Sequence, residues 1–529
     1  QVRGQTVGIA GYGEGGLIGF YASALAPTVR ATLVSGYFGP RERLWEEPIY
    51  RNVFNLVREF GDAEIASMIA PRSLIIEYSE TPQISGPPKP HDGRTGAAPG
   101  RIWTPERHEV EQEFNRAREF FPANFKTDFR FVSGNGGTTV LPGSDQALGY
   151  FAEALGESFE PATAPKAPEA PPELRLPVDI QERQKQQVKE LVDHIQHELV
   201  VCERYRNEHF WKPLANLNAS QWAEKRQSIH DKFWDEVLGG FASPQTDMNP
   251  RSRLIYDAPK YTGYEVALDV WPDVFAWGIL LVPKDLKPGE KRPVVVCQHG
   301  LEGVPKDTIE GPGSNGYGPY KAFTARLAEQ GFITFAPHNP YRGQDKFRVL
   351  QRKSNPLGRT LFSTIIGQHE QILNWLQALP FVDPQRIGFY GLSYGGKSAM
   401  RIPSVLDRYA LSICSADFND WVKKCATVDS AYSYIFGGEY DMPEWDLGHR
   451  FNYSEMAALV APRPFMVERG HGDGVAPDEW VAYEFAKVQR FYDQLGIGDR
   501  TQIEFFNGPH TINGKGTFEF LHQHLRWPN

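Results

Sequence analysis

Residues 386–396 read RIGFYGLSYGG, and this stretch predicts a buried strand that turns sharply into a helix. Apolar residues fill its first half, and small residues suited to a close-packed helix start follow. Gly391, Ser393 and Gly395 fit the pattern Gly-x-Ser-x-Gly, in which the glycines allow a tight turn that lifts the serine hydroxyl above a sheet. The pattern therefore predicts a nucleophilic serine at position 393, on a turn that we call the elbow.

Short apolar runs alternate with helical patterns on both sides of the elbow. Strand-like runs occupy 293–300 and 332–340, and helices are predicted near 318–330 and 361–379. Three earlier runs, within 252–285, resemble an antiparallel start. Alternating strands and helices predict an α/β fold, a mostly parallel sheet with helices on both faces.

A serine nucleophile needs a histidine base and an acid that orients it. His510 lies in the loop FFNGPHTING after a strand-like run, and Asp473 lies in GHGDGVAP after the strand PFMV. Glu468, at the end of that strand, is the alternative acid. We favour Asp473, because Glu77 matches Glu468 in a second copy, described below, that lacks the catalytic residues.

Acyl transfer also needs backbone N–H groups that stabilise the developing oxyanion. The amide of Tyr394, directly after the serine, is one candidate. The second is the amide of Leu301 in HGLEG (299–303), which follows an early strand. His299 in the same loop is a candidate for substrate binding.

Residues 246–529 resemble the α/β-hydrolase superfamily, and most of all its dienelactone-hydrolase and acetyl-xylan-esterase-like branches. The segments that carry the resemblance are HGLEG, PYRGQD (340–345), FVDPQRIGFYGLSYGG (381–396), DFNDW (417–421), MAALVAPRPFMVERGHGD (456–473) and NGPHTI (507–512). The resemblance implies an α/β-hydrolase fold and esterase chemistry through an acyl-enzyme. It also implies no metal or cofactor, and a small-molecule or carbohydrate ester as substrate.

Lys397 follows the serine by four residues. Glucuronoyl esterases have a Gly-Cys-Ser-Arg-x-Gly-Lys elbow, which this sequence matches at its Gly, Ser, Gly and Lys but not at its Cys and Arg. The partial match implies that Lys397 binds an acidic sugar. The alternative is a solvated or ion-paired helix residue with a compensating carboxylate. His369 and Glu370, upstream, are expected on a solvated helix face.

The chain contains a diverged internal repeat. EIASMIAPRSLIIEYSETP (64–82) resembles residues 455–473, and VGIAGYGEGG (7–16) resembles the elbow stretch. In this alignment Gly13 replaces the serine and Pro82 replaces Asp473. Between His108 and His194 the sequence has no histidine to match His510. Residues 1–160 are therefore predicted to be the C-terminal half of a catalytically degenerate copy, with an upstream segment or chain expected to complete it.

Two other interpretations of the first copy were weighed. Residues 11–16 satisfy Gly-x-Gly-x-x-Gly, but the next strand, RATLVSGYFG, ends without the carboxylate that a dinucleotide site requires. A nucleotide site is therefore not expected. The segment 86–103 is an alternative source of function, as a loop that reaches the active site of the other copy.

The remaining boundaries follow from composition. Residues 161–179 are Pro-rich and predict an extended linker. Residues 180–245 predict a helical connecting segment that packs on a neighbouring domain, and 246–529 the catalytic domain.

Composition excludes several classes of protein. Fifty-six Lys and Arg residues against 65 Asp and Glu give a net charge of −9, unlike the basic footprint of a nucleic-acid binder. Four cysteines cannot form a disulfide scaffold, and no apolar run approaches the roughly 20 residues of a membrane span. The resemblance points to a bacterial protein, with the periplasm or exterior favoured although the sequence opens without a signal peptide. A homo-oligomer is compatible with the sequence.

Two functions compete with an esterase. One is a serine peptidase of the prolyl-oligopeptidase type, although no repeated propeller blade precedes the hydrolase-like region. The other is a non-catalytic scaffold or binding protein, which suits the first copy better than the second.

Overall fold

The computed structural model describes residues 6–86, 89, 100–122, 124, 126–160, 179–343, 346–436 and 443–528. The chain forms two compact units. The smaller comprises residues 1–183 with 352–358, and the larger comprises 184–351 with 359–529. Among the described residues, no helix has the length and apolar character needed to cross a membrane.

The smaller unit is built from alternating strands and helices. In chain order these are β1 (Val7–Tyr12), α1 (Glu14–Leu25), β2 (Val29–Ser35), α2 (Leu56–Glu59), α3 (Asp62–Ile69), β3 (Ser73–Glu77), α4 (Arg107–Glu119), β4 (Phe129–Val132) and α5 (Asp145–Leu155). Short 3₁₀ turns lie at Leu44–Glu46, Ile49–Arg51 and Asn135–Gly137. The strands form a parallel sheet in the order β1-β2-β3-β4.

Helices cover both faces of this sheet. On one face, Phe20 of α1, Ile69 of α3 and Phe114 of α4 share a core with Val34. Ala147 of α5 belongs to the core of the other face. In the described part of the chain β1 pairs only with β2, so it is an edge strand and is partly exposed.

The larger unit begins within a long helix and contains most of the strands. Its elements are α6 (Ile180–Arg206), α7 (Lys212–Leu214), α8 (Ala219–Asp231), β5 (Arg251–Asp257), β6 (Tyr261–Trp271), β7 (Val274–Pro283), β8 (Arg292–Gln298), α9 (Tyr317–Tyr320), α10 (Phe323–Glu329), β9 (Ile333–Pro337), α11 (Lys346–Ser354), α12 (Leu361–Ala378), β10 (Val382–Leu392), α13 (Tyr394–Val405), β11 (Leu411–Ser415), α14 (Trp421–Ala426), α15 (Leu447–Arg450), α16 (Tyr453–Val460), β12 (Phe465–Gly470), α17 (Asp478–Gln494), β13 (Thr501–Phe506) and α18 (Gly516–His524). Two π-helical stretches, Asn207–Trp211 and Lys232–Leu238, follow α6 and α8. Further 3₁₀ turns of the larger unit lie at Pro305–Thr308, Tyr434–Phe436 and Gly498–Arg500, and the turn at Asn355–Leu357 belongs to the smaller unit.

The nine strands of the larger unit form one sheet in the order β13-β12-β11-β10-β8-β9-β7-β6-β5. Pairing is parallel from β13 to β9, and β5, β6 and β7 add an antiparallel margin. Every residue of β8, β11 and β12 is buried, as expected for strands covered on both faces. The α/β class, the mostly parallel sheet and the antiparallel start are therefore confirmed.

One predicted feature differs in the structure. The helix expected over 318–330 is interrupted, because Lys321 and Ala322 both adopt left-handed backbone conformations between α9 and α10. The predicted connecting segment 180–245 contains helices, and its residues from 184 onward cluster with the larger unit. Its boundaries stay a prediction. The predicted linker, apart from its last residue, lies outside the described residues.

Helix α8 shows why this segment belongs to the larger unit. Trp222 is fully buried, donates its indole N–H to the carbonyl of Ala461 at 3.1 Å and meets the ring of Phe491 edge to face. Arg226 forms a bidentate pair with Asp407 at 2.5 and 2.8 Å. Both contacts anchor α8 to the helices that flank the parallel sheet.

The paired segments of the predicted repeat share local backbone geometry. Gly13 has φ 56° and ψ −117°, and Ser393 has φ 63° and ψ −122°. In each unit the turn's N–H donates to a serine carbonyl at the end of the next strand, Ser35 or Ser415, at 2.9 and 3.0 Å. The derivation of the smaller unit from a second hydrolase copy stays a prediction, and these matches support it.

We expect Trp222→Ala to lower the free energy of unfolding of the larger unit by about 3–5 kcal/mol, because it opens a cavity and leaves a buried carbonyl without its donor. Chemical denaturation of the full chain, followed by tryptophan fluorescence and circular dichroism, measures the loss. Leu191→Ala on α6 is the control, since Leu191 is 63% exposed and should change stability by no more than about 0.5 kcal/mol. Equal effects of the two substitutions would contradict the packing described for α8.

Candidate active site

The elbow places Ser393 at the carboxyl end of β10, directly before α13. Its φ of 63° lies in the left-handed region, and the turn tolerates no side chain on the flanking glycines. A Cβ on Gly391 would lie 2.1 Å from the carbonyl oxygen of Gly395, and a Cβ on Gly395 would lie 2.2 Å from that of Gln298. The glycines of the motif are therefore required by close backbone packing, and Ser393 remains partly accessible.

His510 and Asp473 meet at the ends of two neighbouring strands. Asp473 follows β12, His510 follows β13, and the Nδ1 atom of His510 lies 2.9 Å from Oδ1 of Asp473. The carboxylate is 2% exposed, and the same oxygen accepts a hydrogen bond from the backbone N–H of Val475 at 2.9 Å. This arrangement can hold the imidazole in the tautomer that carries its proton on Nδ1.

The serine and the histidine are not joined by a hydrogen bond within the described residues. Ser393 directly follows β10, and His510 follows β13 at the edge of the same sheet. A hydrogen bond between a nucleophile and its base often tightens only when substrate binds. The structure thus brings together the predicted base and acid.

Glu468 has a different environment from Asp473. It is fully buried, and its Oε2 accepts hydrogen bonds from Ser415 and Tyr390 at 2.6 and 2.9 Å. Its Oε1 accepts from the backbone N–H groups of Asn513 and Gly514 at 3.1 and 2.9 Å. Both oxygens are thus committed, and no described hydrogen bond joins Glu468 to His510.

Glu77 makes the matching contacts in the smaller unit. Its carboxylate accepts a hydrogen bond from Ser35 and from the N–H groups of Gly143 and Ser144, both at 2.8 Å. A glutamate that accepts matching hydrogen bonds in both units is best explained by a structural role. The geometry therefore favours Asp473 over Glu468 as the acid.

The loop 299–303 lies directly against the nucleophile. A Cβ on Gly300 would approach Cβ of Ser393 to 3.0 Å. The N–H of Gly300 donates to the hydroxyl of Tyr320 at 2.7 Å, which leaves Leu301 as the next amide of the loop. Tyr394 is the first residue of α13, where helix N–H groups point outward. Tyr394 thus adjoins the serine along the chain, and the loop that carries Leu301 adjoins it through space.

His299 is a buried scaffold residue of this loop. It is 1% exposed, its Nδ1 lies 2.7 Å from the carbonyl of Gly300, and its Nε2 lies 3.3 Å from Nδ1 of His338. Burial lowers the pKa of His299 to about 3, so the ring is neutral. Both nitrogens face protein atoms, which argues against the substrate contact predicted for this residue.

Lys397 is also buried, with 2% of its surface exposed. Its Nζ lies 4.3 Å from the ring centroid of Trp421 and 5.4 Å from that of Tyr394. Burial lowers its pKa, and the charges of Glu444 and Asp417 oppose that shift. The expectation of a nearby carboxylate is met, but the solvated position is wrong, because α13 packs into the core on all sides.

His369 corrects a second expectation. The sequence predicted a solvated helix face, but His369 is 2% exposed and its Nδ1 lies 2.7 Å from the hydroxyl of Tyr409. Its Nε2 lies 3.2 Å from Oε1 of Gln298. Burial lowers the pKa of His369 to about 3. Helix α12 is buried around most of its circumference, so its polar residues do not mark a solvent face.

Arg469 is a site residue that the sequence reasoning missed. It is 3% exposed, and its Nη1 lies 3.2 Å from Oδ2 of Asp473, the oxygen that does not face His510. It also donates to the carbonyls of Asp473 and Ala476 and pairs with Asp478 at 3.0 Å. Its position four residues before the acid, in VERGHGD, was the available signal.

The smaller unit lacks this chemistry at the matching positions. A Cβ on Gly13 would lie 3.0 Å from Cδ of Pro82, so the proline ring occupies the space where a nucleophile would project. Residues 87, 88 and 90–99 of the candidate loop 86–103 lie outside the described residues.

Parts of this chain are similar to known proteins. No protein-family model matches it. Over 144 residues the chain is 29% identical to a Bacillus subtilis protein described as "Putative hydrolase YtaP", a match that covers 27% of this chain. The match spans 46%, under half, of that relative's length.

Several solved structures are similar at low identity. A glucuronoyl esterase from Solibacter usitatus is 15% identical with a TM-score of 0.46, over 59% of this chain and 94% of that one. A family 15 glucuronoyl esterase from Caldicellulosiruptor kristjansonii is 16% identical with a TM-score of 0.43, over 59% and 88%. Acetyl xylan esterase 1 from Thermoanaerobacterium sp. JW/SL YS485 is 14% identical with a TM-score of 0.38, over 57% and 94%.

The buried histidines predict a pH dependence of stability. His369 is neutral in the folded protein, with a pKa of about 3, and becomes protonated in the unfolded chain below about pH 6.5. Its contribution is therefore fully present above that pH and is lost as the pH falls. We expect the free energy of unfolding of the wild type to drop more steeply than that of His369→Gln between about pH 7.5 and 5.

Denaturant titrations across this pH range give the comparison. His197→Gln, at an exposed position on α6, should keep the wild-type slope. A His369→Gln variant with the full wild-type slope would show that this histidine does not remain neutral in the folded state.

Proposed function

We propose that the larger unit is a serine hydrolase that cleaves carboxylic esters with Ser393 as nucleophile, His510 as base and Asp473 as orienting acid. The observation that carries the proposal is the 2.9 Å contact between His510 and buried Asp473, on the sheet whose strand β10 ends at the Ser393 elbow. Serine nucleophiles require this base and acid, and the chain order serine, acid, histidine is that of α/β-hydrolases.

The geometry supports a two-step reaction. Ser393 Oγ attacks the ester carbonyl and passes its proton to Nε2 of His510, while Asp473 holds Nδ1 and stabilises the imidazolium. The N–H groups of Tyr394 and Leu301 donate to the oxyanion. His510 then protonates the departing alcohol, and water activated by the same ring hydrolyses the acyl-enzyme.

The substrate class proposed is an acylated or esterified carbohydrate, or an aromatic ester. The motif resemblance supports it, and the names of the similar esterases agree with it. No feature of the described residues supplies the propeller that a prolyl-oligopeptidase-like enzyme carries. Short p-nitrophenyl esters, acetylated xylan fragments and Pro-containing peptide substrates distinguish the two activities.

Ser393→Ala should abolish ester hydrolysis and labelling by a fluorophosphonate, with loss on the order of 10⁴-fold or more in turnover. Circular dichroism should be unchanged, because Ala fits the space of a Ser side chain. Ser430→Ala, outside the elbow, is the matched control and should retain wild-type labelling. Retained hydrolysis in Ser393→Ala would refute the assignment.

The substitutions Asp473→Asn and Glu468→Gln should distinguish the residue that orients His510 from the residue that stabilises the fold. The amide at 473 would favour the wrong imidazole tautomer, so kcat should fall by orders of magnitude while the fold persists. The carboxylate of Glu468 accepts hydrogen bonds from five donors, and a glutamine there would offer only one oxygen as an acceptor. Glu468→Gln should therefore mainly lower the melting temperature. The opposite ranking of activities would move the acid to the end of β12.

Arg469 should act as a positioning residue for Asp473. Arg469→Met removes the partner of Oδ2 and two donors to the loop carbonyls, so kcat should fall about tenfold or more with little change in KM. Arg469→Lys, which keeps the charge, should recover part of the loss. Arg490→Met, at an exposed position on α17, is the control. Equal kcat in Arg469→Met and wild type would remove the role.

A further inference from the structure

The loop 299–303 contains a backbone N–H group whose direction is fixed by its own peptide unit. Among the described residues, no group accepts a hydrogen bond from the N–H of Leu301. The carbonyl of the same peptide unit, that of Gly300, lies 2.7 Å from Nδ1 of His299 and accepts a hydrogen bond from the N–H of Gly303 at 3.2 Å. A trans peptide directs its carbonyl and its N–H to opposite sides, so these contacts determine where the Leu301 N–H points.

The preceding peptide unit is held by Tyr320. The N–H of Gly300 donates to the hydroxyl oxygen of Tyr320 at 2.7 Å, and Tyr320 is 6% exposed. That oxygen lies 3.1 Å from the position that a Cβ on Gly300 would occupy, and Cβ of Ser393 lies 3.0 Å from the same position. The tyrosine therefore anchors the loop at the residue that approaches the nucleophile.

Helix α9, which ends at Tyr320, is itself held by the loop of the candidate base. The hydroxyl of Thr511 lies 2.9 Å from the carbonyl oxygen of Gly318 and 3.0 Å from that of Pro319. The N–H of Ile512 donates to the carbonyl of Pro319 at 2.8 Å. The position of the tyrosine hydroxyl is thus set by contacts outside the loop that it supports.

We propose that Tyr320 is a positioning residue, whose hydroxyl holds the loop 299–303 so that the N–H of Leu301 meets the oxyanion formed at Ser393. The inference rests on the proposed ester hydrolase function and adds to it a residue outside the predicted site. The oxyanion forms only after the serine attacks, so a displaced amide weakens binding of the transition state more than binding of the ester. Loss of the tyrosine hydroxyl should therefore slow the chemical step and leave ester binding nearly unchanged.

The test is Tyr320→Phe in the full chain. This substitution removes the acceptor of the Gly300 N–H and keeps the aromatic ring, whose centroid lies 6.5 Å from that of Phe323. With p-nitrophenyl acetate as substrate, kcat should fall about tenfold or more with little change in KM. Circular dichroism and the melting temperature establish that the variant is folded.

Two ketones distinguish a displaced oxyanion donor from a general disturbance of the site. Trifluoroacetophenone forms a bond from its carbonyl carbon to Ser393 Oγ, the serine proton passes to His510, and the carbonyl electron pair stays on the oxygen as an oxyanion. Acetophenone is far less electrophilic and binds as the planar ketone. In Tyr320→Phe the inhibition constant of trifluoroacetophenone should rise about tenfold or more, and that of acetophenone should not change.

Tyr317→Phe is the matched control, because it removes a hydroxyl from the same helix. Within the part of the chain that the structure describes, the hydroxyl of Tyr317 makes no hydrogen bond. This variant should keep the wild-type kcat and both wild-type inhibition constants.

Three results would overturn the inference. Wild-type kcat and trifluoroacetophenone affinity in Tyr320→Phe would overturn it alone, because the wild type would still hydrolyse the ester. Equal weakening of both ketones would also overturn it, since the effect would not concern the oxyanion. A wild type that neither hydrolyses the ester nor reacts with a fluorophosphonate would overturn the proposed function and this inference together.

Discussion

The geometry of the larger unit's candidate site depends on the hydrogen bonds that the buried carboxylate of Glu468 accepts. It stands at the end of β12 and binds the end of β11 through Ser415 and β10 through Tyr390. Through Asn513 and Gly514 it also fixes the loop that carries His510. An uncompensated charge in this position would be costly, and the hydrogen bonds from these groups offset that cost. The strands that end before Ser393, Asp473 and His510 are therefore joined by hydrogen bonds beneath the candidate site.

The motif residues were predictable because close packing leaves a clear trace in sequence. A Cβ added at Gly391 or Gly395 would lie about 2 Å from a carbonyl oxygen, so the turn requires glycine at both positions. For this reason the sequence alone predicted the elbow. The choice of Asp473 over Glu468 also followed from comparing the two halves of the chain. Both predictions depend on residues that are close together in the sequence or in aligned segments, and such patterns can be recognised in one sequence.

Burial was much harder to predict. His369 and Lys397 look like surface residues by composition, but α12 and α13 are enclosed by other elements that lie far away in sequence. Arg469 was overlooked because its contacts depend on the path of the loop to Asp478. The boundary at 184 depends on contacts of α8, such as those of Trp222 with Ala461 and Phe491. These features arise from tertiary packing, which periodicity alone does not encode.

The ring of Pro82 restricts which side chain position 13 of the smaller unit can accept. Its ring lies about as close to the missing Cβ of Gly13 as atoms in contact ever come. A serine at position 13 would therefore contact the proline ring, and the sequence between His108 and His194 has no histidine to match His510. Under the predicted descent of this unit from a hydrolase copy, a gain of catalysis would need changes at positions 13 and 82 together with a new histidine, and no single one of these changes would produce activity.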